Sequence, residues 1–160
     1  MSIKQSGGWV FVFILMFLPL AGARLQANPR STDANTGQLK TSEIQLITAE
    51  ELKAKVAKKE PVTIIDVRAA SSYADSDTKI KGAIHVKLRK LKYRLGFPPL
   101  KNVPRDREVV TYCACPSEET SILAAQVLLD SGFKRVRALK GGWQEWLKAS
   151  GQLESKPRGL

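Results

Sequence analysis

The chain has 160 residues, of which 43% are hydrophobic and 26% are charged, and its formal net charge is +11. This length suits one domain with appendages, and the apolar content excludes a chain that is disordered throughout. Two cysteines and one histidine are too few for the roughly four ligands of a structural zinc site, so we expect no metal.

The first 23 residues have the features of a secretory signal peptide. Lys4 is the only charged side chain before an apolar run from Trp9 to Leu20, and Ala21-Gly22-Ala23 is a small-x-small cleavage site. The run is shorter than the ~20 residues that span a bilayer, so an uncleaved membrane anchor is the alternative interpretation. We therefore expect an exported domain, periplasmic or secreted, in an oxidising compartment where thiols tend to pair.

Residues 24–43 are predicted to be a flexible linker, because they are rich in small polar residues and show no hydrophobic periodicity. A domain over residues 44–150 follows, and residues 151–160 are predicted to form a frayed tail. Apolar and β-branched runs predict strands at 44–47, 62–67, 83–86, 108–113 and 133–139. Periodic apolar residues and end signals predict helices at 50–58, 69–75, 88–95, 119–130 and 143–149.

The first of these helices has a clear start signal, since Thr48 and Glu51 have the spacing of a capping box. Strands that alternate with helices along a chain are typical of an α/β domain. In such a domain a parallel sheet is covered by helices on both faces.

Both cysteines lie in one segment, Thr111 to Ser121 (T-Y-C-A-C-P-S-E-E-T-S), between a predicted strand and a predicted helix. Ligands of parallel sheets bind where strands end and helices begin. The helix N-terminus presents N–H groups and a positive dipole end, which favour a thiolate nucleophile. Other interpretations stay open: two buried core cysteines, a redox-active Cys113–Cys115 disulfide, or a dyad with His85, although His85 is better explained as a partly buried strand residue.

Four segments resemble the motifs of the rhodanese (sulfurtransferase) domain family over about residues 44–150. They are Ile64–Arg68 (IIDVR), Lys79–Ile84 (KIKGAI), Val109–Cys113 (VVTYC) and Leu139–Trp146 (LKGGWQEW). The resemblance implies a central parallel five-stranded sheet flanked by helices, with neither a metal nor an organic cofactor. It also implies a loop cysteine that takes sulfane sulfur from a small anionic donor such as thiosulfate, holds it as a persulfide and passes it to a thiol or cyanide.

The resemblance points to two different cysteines. Counted from the strand motif V-V-x-Y-C, the nucleophile is Cys113. At the helix, the family pattern is a cysteine, five residues and then Ser, Thr or Arg. Counted back from the helix in this pattern, the nucleophile is Cys115. The two counts together imply a loop that is two residues longer than usual. We expect Cys113 to accept the sulfur, with Cys115 as the alternative or as a resolving thiol. The substrate-binding loop would comprise Ala114, Pro116, Ser117, Glu118, Glu119, Thr120 and Ser121.

The loop also departs from the family in its charge. Glu118 and Glu119 stabilise a helix N-terminus but repel an anionic donor, which puts thiosulfate in doubt. We expect Glu119 to face solvent and Glu118 to fold back and accept hydrogen bonds from loop N–H groups. Thr120 or Ser121 stands where phosphatases of this fold carry an arginine, so phosphate-ester hydrolysis is not expected.

Four further residues are expected to support the loop. Asp66, at a strand end, would fix neighbouring loops through their N–H groups, and Arg68 would either pair with Asp66 or face the site. Gly141 and Gly142 permit a close approach of the backbone beside the site. Lys79 stands where the family often has a histidine.

Ten basic residues and one acid, Asp106, lie between Lys79 and Arg107. This segment is either a solvated face or a surface that attracts an anionic donor, an acidic protein partner or a membrane. Membrane contact is expected only if the N-terminal segment is not cleaved. Nucleic acid is not an expected partner, because an exported chain without aromatic-interleaved motifs lacks the usual features.

Three functions are therefore open on the sequence. The first is an exported sulfurtransferase that works through a cysteine persulfide. The second is a thiol redox protein that uses the Cys-x-Cys pair. The third is a catalytically silent module that binds an anion or a partner protein.

We predict that the leader is removed on export. In a Gram-negative host, the mature protein should begin at Arg24, or at Asn28 if the second candidate cut after Ala27 is used. N-terminal sequencing of the periplasmic fraction checks this. Recovery of the chain from Met1 onwards in the membrane fraction would point to an uncleaved anchor instead.

Overall fold

The computed structural model describes residues 44–157. The predicted signal peptide (1–23), the predicted linker (24–43) and residues 158–160 lie outside the described part. Within residues 44–157, no helix combines the length and apolar character that crossing a membrane requires.

The described residues form strands and helices in alternation. The strands are β1 (Gln45–Ile47), β2 (Val62–Asp66), β3 (Thr78–Ile80), β4 (Ile84–His85), β5 (Glu108–Tyr112), β6 (Arg135–Leu139) and β7 (Leu153–Ser155). The helices are α1 (Ala49–Ala57), α2 (Ala70–Ala74), α3 (Leu88–Arg94), α4 (Glu119–Asp130) and α5 (Gly142–Lys148), with a 3-10 turn at Leu100–Asn102.

Five of these strands form one sheet in the order β1-β6-β5-β2-β4, and every neighbouring pair is parallel. The predicted α/β class and five-stranded parallel sheet are therefore confirmed. The capping box is also confirmed: the Glu51 N–H donates to Thr48 Oγ1 at 3.1 Å, and the Thr48 N–H donates to the Glu51 carboxylate at 3.0 Å.

The register of the central strands aligns their carboxyl ends. Asp66, the last residue of β2, is paired with Tyr112, the last residue of β5, and with His85, the last residue of β4. Because parallel strands end at the same edge of a sheet, the segments after β2, β4, β5 and β6 meet there. Both cysteines lie directly after β5, at this carboxyl edge.

Helices cover both faces of the sheet, as an all-parallel sheet requires. Ile65 packs on one face with Leu128 of α4, and Ile64 packs on the other face with Trp146 of α5. Side chains alternate between faces along a strand. The alternation continues past β5, so that Tyr112 belongs to the core under α1 and α5 while Cys113 belongs to the core under α3 and α4.

The prediction of a frayed tail is wrong for residues 151–157. Leu153–Ser155 form β7, which pairs antiparallel with β3 in a separate two-stranded sheet. Lys79 of β3 is buried, and its ammonium pairs with the Glu154 carboxylate and donates to the Ala83 carbonyl oxygen. The Trp146 indole N–H donates to the Gln152 carbonyl oxygen at 3.2 Å. This contact ties the segment to α5.

We predict that a chain ending at Ser150 is less stable than a chain ending at Pro157. The shorter chain removes Glu154, the counterion of the Lys79 ammonium, and Gln152, the acceptor of the Trp146 indole N–H. The loss of a hydrogen-bond partner by a buried polar group costs about 1–3 kcal/mol. Urea unfolding of the two chains measures the difference. Equal midpoints and slopes would contradict the role assigned to β7.

Candidate active site

The cysteine loop runs from the end of β5 to the start of α4. Cys113 follows the last strand residue directly and is only 2% exposed, whereas Cys115 is half-buried and Pro116 and Ser117 are exposed. The sulfur atoms of Cys113 and Cys115 are joined in a disulfide, and their Cα atoms are 5.6 Å apart. The loop therefore has an inner cysteine at the sheet edge and an outer cysteine nearer its surface.

The turn between β6 and α5 packs against the backbone of the inner cysteine. The Trp143 N–H donates to the Cys113 carbonyl oxygen at 2.8 Å. A Cβ atom on Gly142, whose φ is +50°, would lie 2.3 Å from that same oxygen. Only glycine allows this approach, so Gly142 sets the contact between the two loops.

Glu118 closes the other end of the loop. Its backbone is in the left-handed region, with φ at +52°, and its carbonyl oxygen accepts hydrogen bonds from the Ser121 hydroxyl at 2.7 Å and the Ile122 N–H at 2.8 Å. Its carboxylate accepts a hydrogen bond from the Gly141 N–H. Glu118 thus folds back as expected, although its partner lies in the neighbouring glycine turn and not within its own loop.

The remaining loop residues divide between the surface and the helix. Glu119 is exposed in the first turn of α4, where its negative charge interacts favourably with the positive end of the helix dipole, as expected. Ser121 is fully buried, and its hydroxyl oxygen lies 3.7 Å from the Cys113 sulfur. Ser121 is the polar side chain that the first turn of α4 brings to the inner cysteine.

A buried ion pair lies under the edge of the sheet. Asp66 and Arg68 are both fully buried, and the Arg68 guanidinium donates to both carboxylate oxygens of Asp66 at 2.8–3.1 Å. The Tyr112 hydroxyl donates to the same carboxylate at 2.7 Å, and Arg68 also donates to the Thr78 carbonyl oxygen at 3.0 Å. Arg68 was expected either to pair with Asp66 or to face the site, and in the structure it pairs with Asp66.

The charges of this pair are held by its partners. Burial alone would raise the pKa of Asp66, but hydrogen bonds involving His85, Arg68 and Tyr112 outweigh it and hold that pKa below its usual value. Burial and the neighbouring Asp66 charge raise the pKa of the Tyr112 phenol well above its usual value. Asp66 therefore stays ionised, and Tyr112 stays a hydrogen-bond donor, at neutral pH.

His85 belongs to the same cluster, and the structure gives it other partners than a cysteine. Its ring stacks on Tyr73, with centroids 3.7 Å apart, and its Nδ1 lies 3.1 Å from the Asp66 carbonyl oxygen. The interpretation of His85 as a partly buried strand residue is confirmed, since it ends β4.

An acidic groove adjoins the cysteine loop. It has a volume of about 390 Å³ and is lined by Thr48, Ala49, Glu50, Glu118, Lys140, Gly141 and Glu145. Three carboxylates and one ammonium give this groove a net negative charge. A larger cavity of about 470 Å³, lined in part by Glu108, Arg135 and Arg137, lies at the opposite end of β5, away from the cysteines.

The basic segment between Lys79 and Arg107 is mostly solvent-exposed. Lys79 itself is buried in its pair with Glu154, while the exposed members are Lys81, Arg89, Lys90, Lys92, Arg94, Lys101 and Arg105. Lys79 therefore has a structural contact at the position where the family often carries a histidine.

These features agree with comparisons to known proteins. A model of the rhodanese-like domain family matches residues 48–149. The chain belongs to the rhodanese-like domain family. This rhodanese-like domain is 29% identical over 102 residues to a sulfurtransferase of Allochromatium vinosum, covering 64% of this chain and 87% of the relative.

Two further relatives extend the comparison. The thiosulfate sulfurtransferase GlpE of Coxiella burnetii is 30% identical over 92 residues, which cover 58% of this chain and 78% of GlpE. The solution structure of the rhodanese-like domain of the Anabaena protein Alr3790 has a TM-score of 0.58 and 30% identity, covering 74% of this chain and 87% of that one. The sulfurtransferase relatives support the general activity class that the motifs imply.

Sequence reasoning missed two contacts of this rhodanese-like domain. The Tyr112 hydroxyl was not expected to bind Asp66, although a tyrosine that ends a buried strand needs a partner for its hydroxyl and therefore carries a signal. The contact of Glu118 with Gly141 spans 23 residues, and the spacing of these two residues gives no sign of it.

We predict that Asp66→Asn destabilises the domain by about 3–5 kcal/mol at neutral pH, because it leaves the buried Arg68 charge without its counterion. Asp75→Asn, on an exposed residue after α2, is the matched control and should change stability by less than about 0.5 kcal/mol. Chemical denaturation at pH 7 measures both variants.

The pH dependence of the same variant gives a second readout. Since the pKa of Asp66 is lower in the folded than in the unfolded chain, its stabilisation is present at neutral pH. It is lost as the pH falls below about 4, through the folded-state value. The Asp66→Asn protein should therefore lose less stability than the wild type between pH 6 and pH 3. An equal loss would contradict the assignment.

Proposed function

We propose that this domain is a sulfurtransferase in which reduced Cys113 attacks a sulfane-sulfur donor and holds the sulfur as a persulfide. The observation that carries the proposal is the position of Cys113. It directly follows the central strand β5, before the N-terminus of α4, with its backbone held by Trp143 and Gly142. The partial positive charge of a helix N-terminus favours an anionic sulfur.

The chemistry divides into two transfers. In the first, the Cys113 thiolate attacks the outer sulfur of the donor, a new S–S bond forms at Cys113, and the rest of the donor leaves with the electron pair. In the second, a thiol or cyanide attacks the outer sulfur of the persulfide and regenerates the Cys113 thiolate. Both transfers need Cys113 reduced, so the Cys113–Cys115 disulfide must first be opened by a thiol.

We propose a persulfide, whose terminal sulfur carries a single negative charge, as the preferred donor over thiosulfate. The groove beside the loop contains the carboxylates of Glu50, Glu118 and Glu145, and the opposing charges are Lys140 in its lining and Lys148, which pairs with Glu145. A doubly charged anion is repelled there more strongly than a donor with a single charge. Because the Coxiella relative is named a thiosulfate sulfurtransferase, thiosulfate is the donor against which the proposed donor should be compared.

Two alternative functions remain and predict different outcomes. The Cys113–Cys115 disulfide favours a thiol redox protein that exchanges electrons without carrying sulfur. The acidic groove favours a silent binding module. We further propose that the domain acts outside the cytoplasm, as the N-terminal segment of the sequence predicts.

We predict that Cys113→Ser abolishes both the sulfur adduct and cyanide-dependent turnover, because it removes the attacking sulfur. Ser155→Ala, on an exposed residue of β7 outside the cysteine loop, is the control and should retain both. Mass spectrometry of the reduced protein after incubation with a polysulfide or with thiosulfate detects the adduct, and thiocyanate formation measures turnover.

Each alternative outcome has a distinct meaning. An adduct that survives Cys113→Ser and is lost in Cys115→Ser would assign the nucleophile to Cys115. Absence of turnover in the wild type, together with absence of an adduct in both the wild type and Cys115→Ser, would overturn the sulfurtransferase proposal in favour of a redox or a binding role.

A further inference from the structure

The second cysteine of the loop lies where it reacts with the first. The disulfide places the Cys115 sulfur at bonding distance from the Cys113 sulfur, so Cys115 reaches the inner sulfur of a Cys113 persulfide when the outer sulfur points away from it. We propose that Cys115 is a resolving thiol that ejects the carried sulfur as hydrosulfide, an inference that rests on the proposed function. The domain would then have two outputs: sulfur transfer to an external acceptor and reductive release of sulfide.

Burial determines which sulfur of the persulfide each thiol reaches. Cys113 is 2% exposed, and its sulfur lies 3.7 Å from the hydroxyl oxygen of the fully buried Ser121. An external acceptor therefore reaches only the outer sulfur, and its attack transfers that sulfur. Cys115, attached two residues along the same loop, reaches the inner sulfur from within the protein.

The loop is held at both ends and exposed between them. The Cys113 carbonyl is held by the Trp143 N–H, and the Glu118 carboxylate is held by the Gly141 N–H. Pro116 and Ser117, between these two contacts, are exposed. In the proposed cycle the half-buried side chain of Cys115, next to these exposed residues, moves aside while Cys113 carries a sulfur and returns when it attacks.

The step balances in atoms and electrons. The Cys115 thiolate attacks the inner sulfur, the Cys113–Cys115 bond forms, the bond between the inner and outer sulfur breaks, and the outer sulfur leaves as hydrosulfide with the bonding pair. The carried sulfur is reduced and the two cysteines are oxidised.

A dithiol reductant completes the cycle. Its first thiolate attacks the more accessible Cys115 sulfur and releases the Cys113 thiolate. Its second thiol then frees Cys115 and leaves the reductant as a disulfide. With thiosulfate as donor, the sum is one thiosulfate and one dithiol converted to one sulfite, one hydrogen sulfide and one oxidised dithiol.

The test is a single turnover without external thiol. The fully reduced protein is freed of reductant and incubated anaerobically with excess thiosulfate, whose own product, sulfite, is distinct from sulfide. The wild type should release about one sulfide per chain and lose the mass of two hydrogens as its disulfide forms. Cys115→Ser should release none and keep the mass of one added sulfur on Cys113.

The other outcomes separate this inference from the proposed function. A wild type that keeps its added sulfur and releases no sulfide, or that carries it on Cys115, overturns the resolving role while leaving sulfur transfer intact. If Cys115→Ser and Cys115→Ala both gain no sulfur from thiosulfate or from a persulfide, the proposed function fails and this inference fails with it. Using two variants guards against a folding defect that is specific to serine.

Discussion

The buried ion pair between Asp66 and Arg68 is the interaction on which the carboxyl edge of the sheet depends. Two charges removed from water cost several kcal/mol each unless their hydrogen-bonding groups are satisfied. Here the carboxylate is bound by the guanidinium and by the Tyr112 hydroxyl, and the guanidinium also binds the Thr78 carbonyl, whereas its buried Nη1 has no hydrogen-bond partner among the described residues. Elements that are far apart in sequence are thereby held to one point.

This pair also positions the cysteine loop, although neither charge touches a cysteine in the contacts described. The Arg68 guanidinium stacks over Trp143 at 4.2 Å and lies near Tyr112. Tyr112 is bonded to Cys113, and Trp143 is bonded to Gly142, whose missing side chain lets the two loops meet. Any shift of the ion pair would therefore move both halves of the contact that supports the inner cysteine.

The fold was largely predictable because its signals are local. The β-branched runs of β2 and β5, the capping box at Thr48 and the apolar periodicity of α4 each lie within one short segment. The pairing of β3 with β7 was not predictable, since each strand has only three residues and the partners Lys79 and Glu154 are 75 positions apart. Short polar strands have no periodicity that separates them from a tail.

The candidate site was predictable in its residues and not in its arrangement. Strand register and helix register named different cysteines, since the resemblance implies a loop two residues longer than the family pattern. The structure relates the two counts: Cys113 directly follows the last strand residue, and Cys115 lies closer to the helix with its sulfur bonded to that of Cys113. A longer loop is what allows a second thiol to reach the first from within.

The acidic groove and the second cysteine favour the same chemistry. The charges of Glu50, Glu118 and Glu145 disfavour a highly charged anion beside the loop, and Glu118 is also committed to holding the loop through Gly141. The Glu118 charge is therefore part of the loop's structure, and its removal should loosen the loop. A site of this kind suits sulfur that arrives on a thiol and leaves either on another thiol or as hydrosulfide.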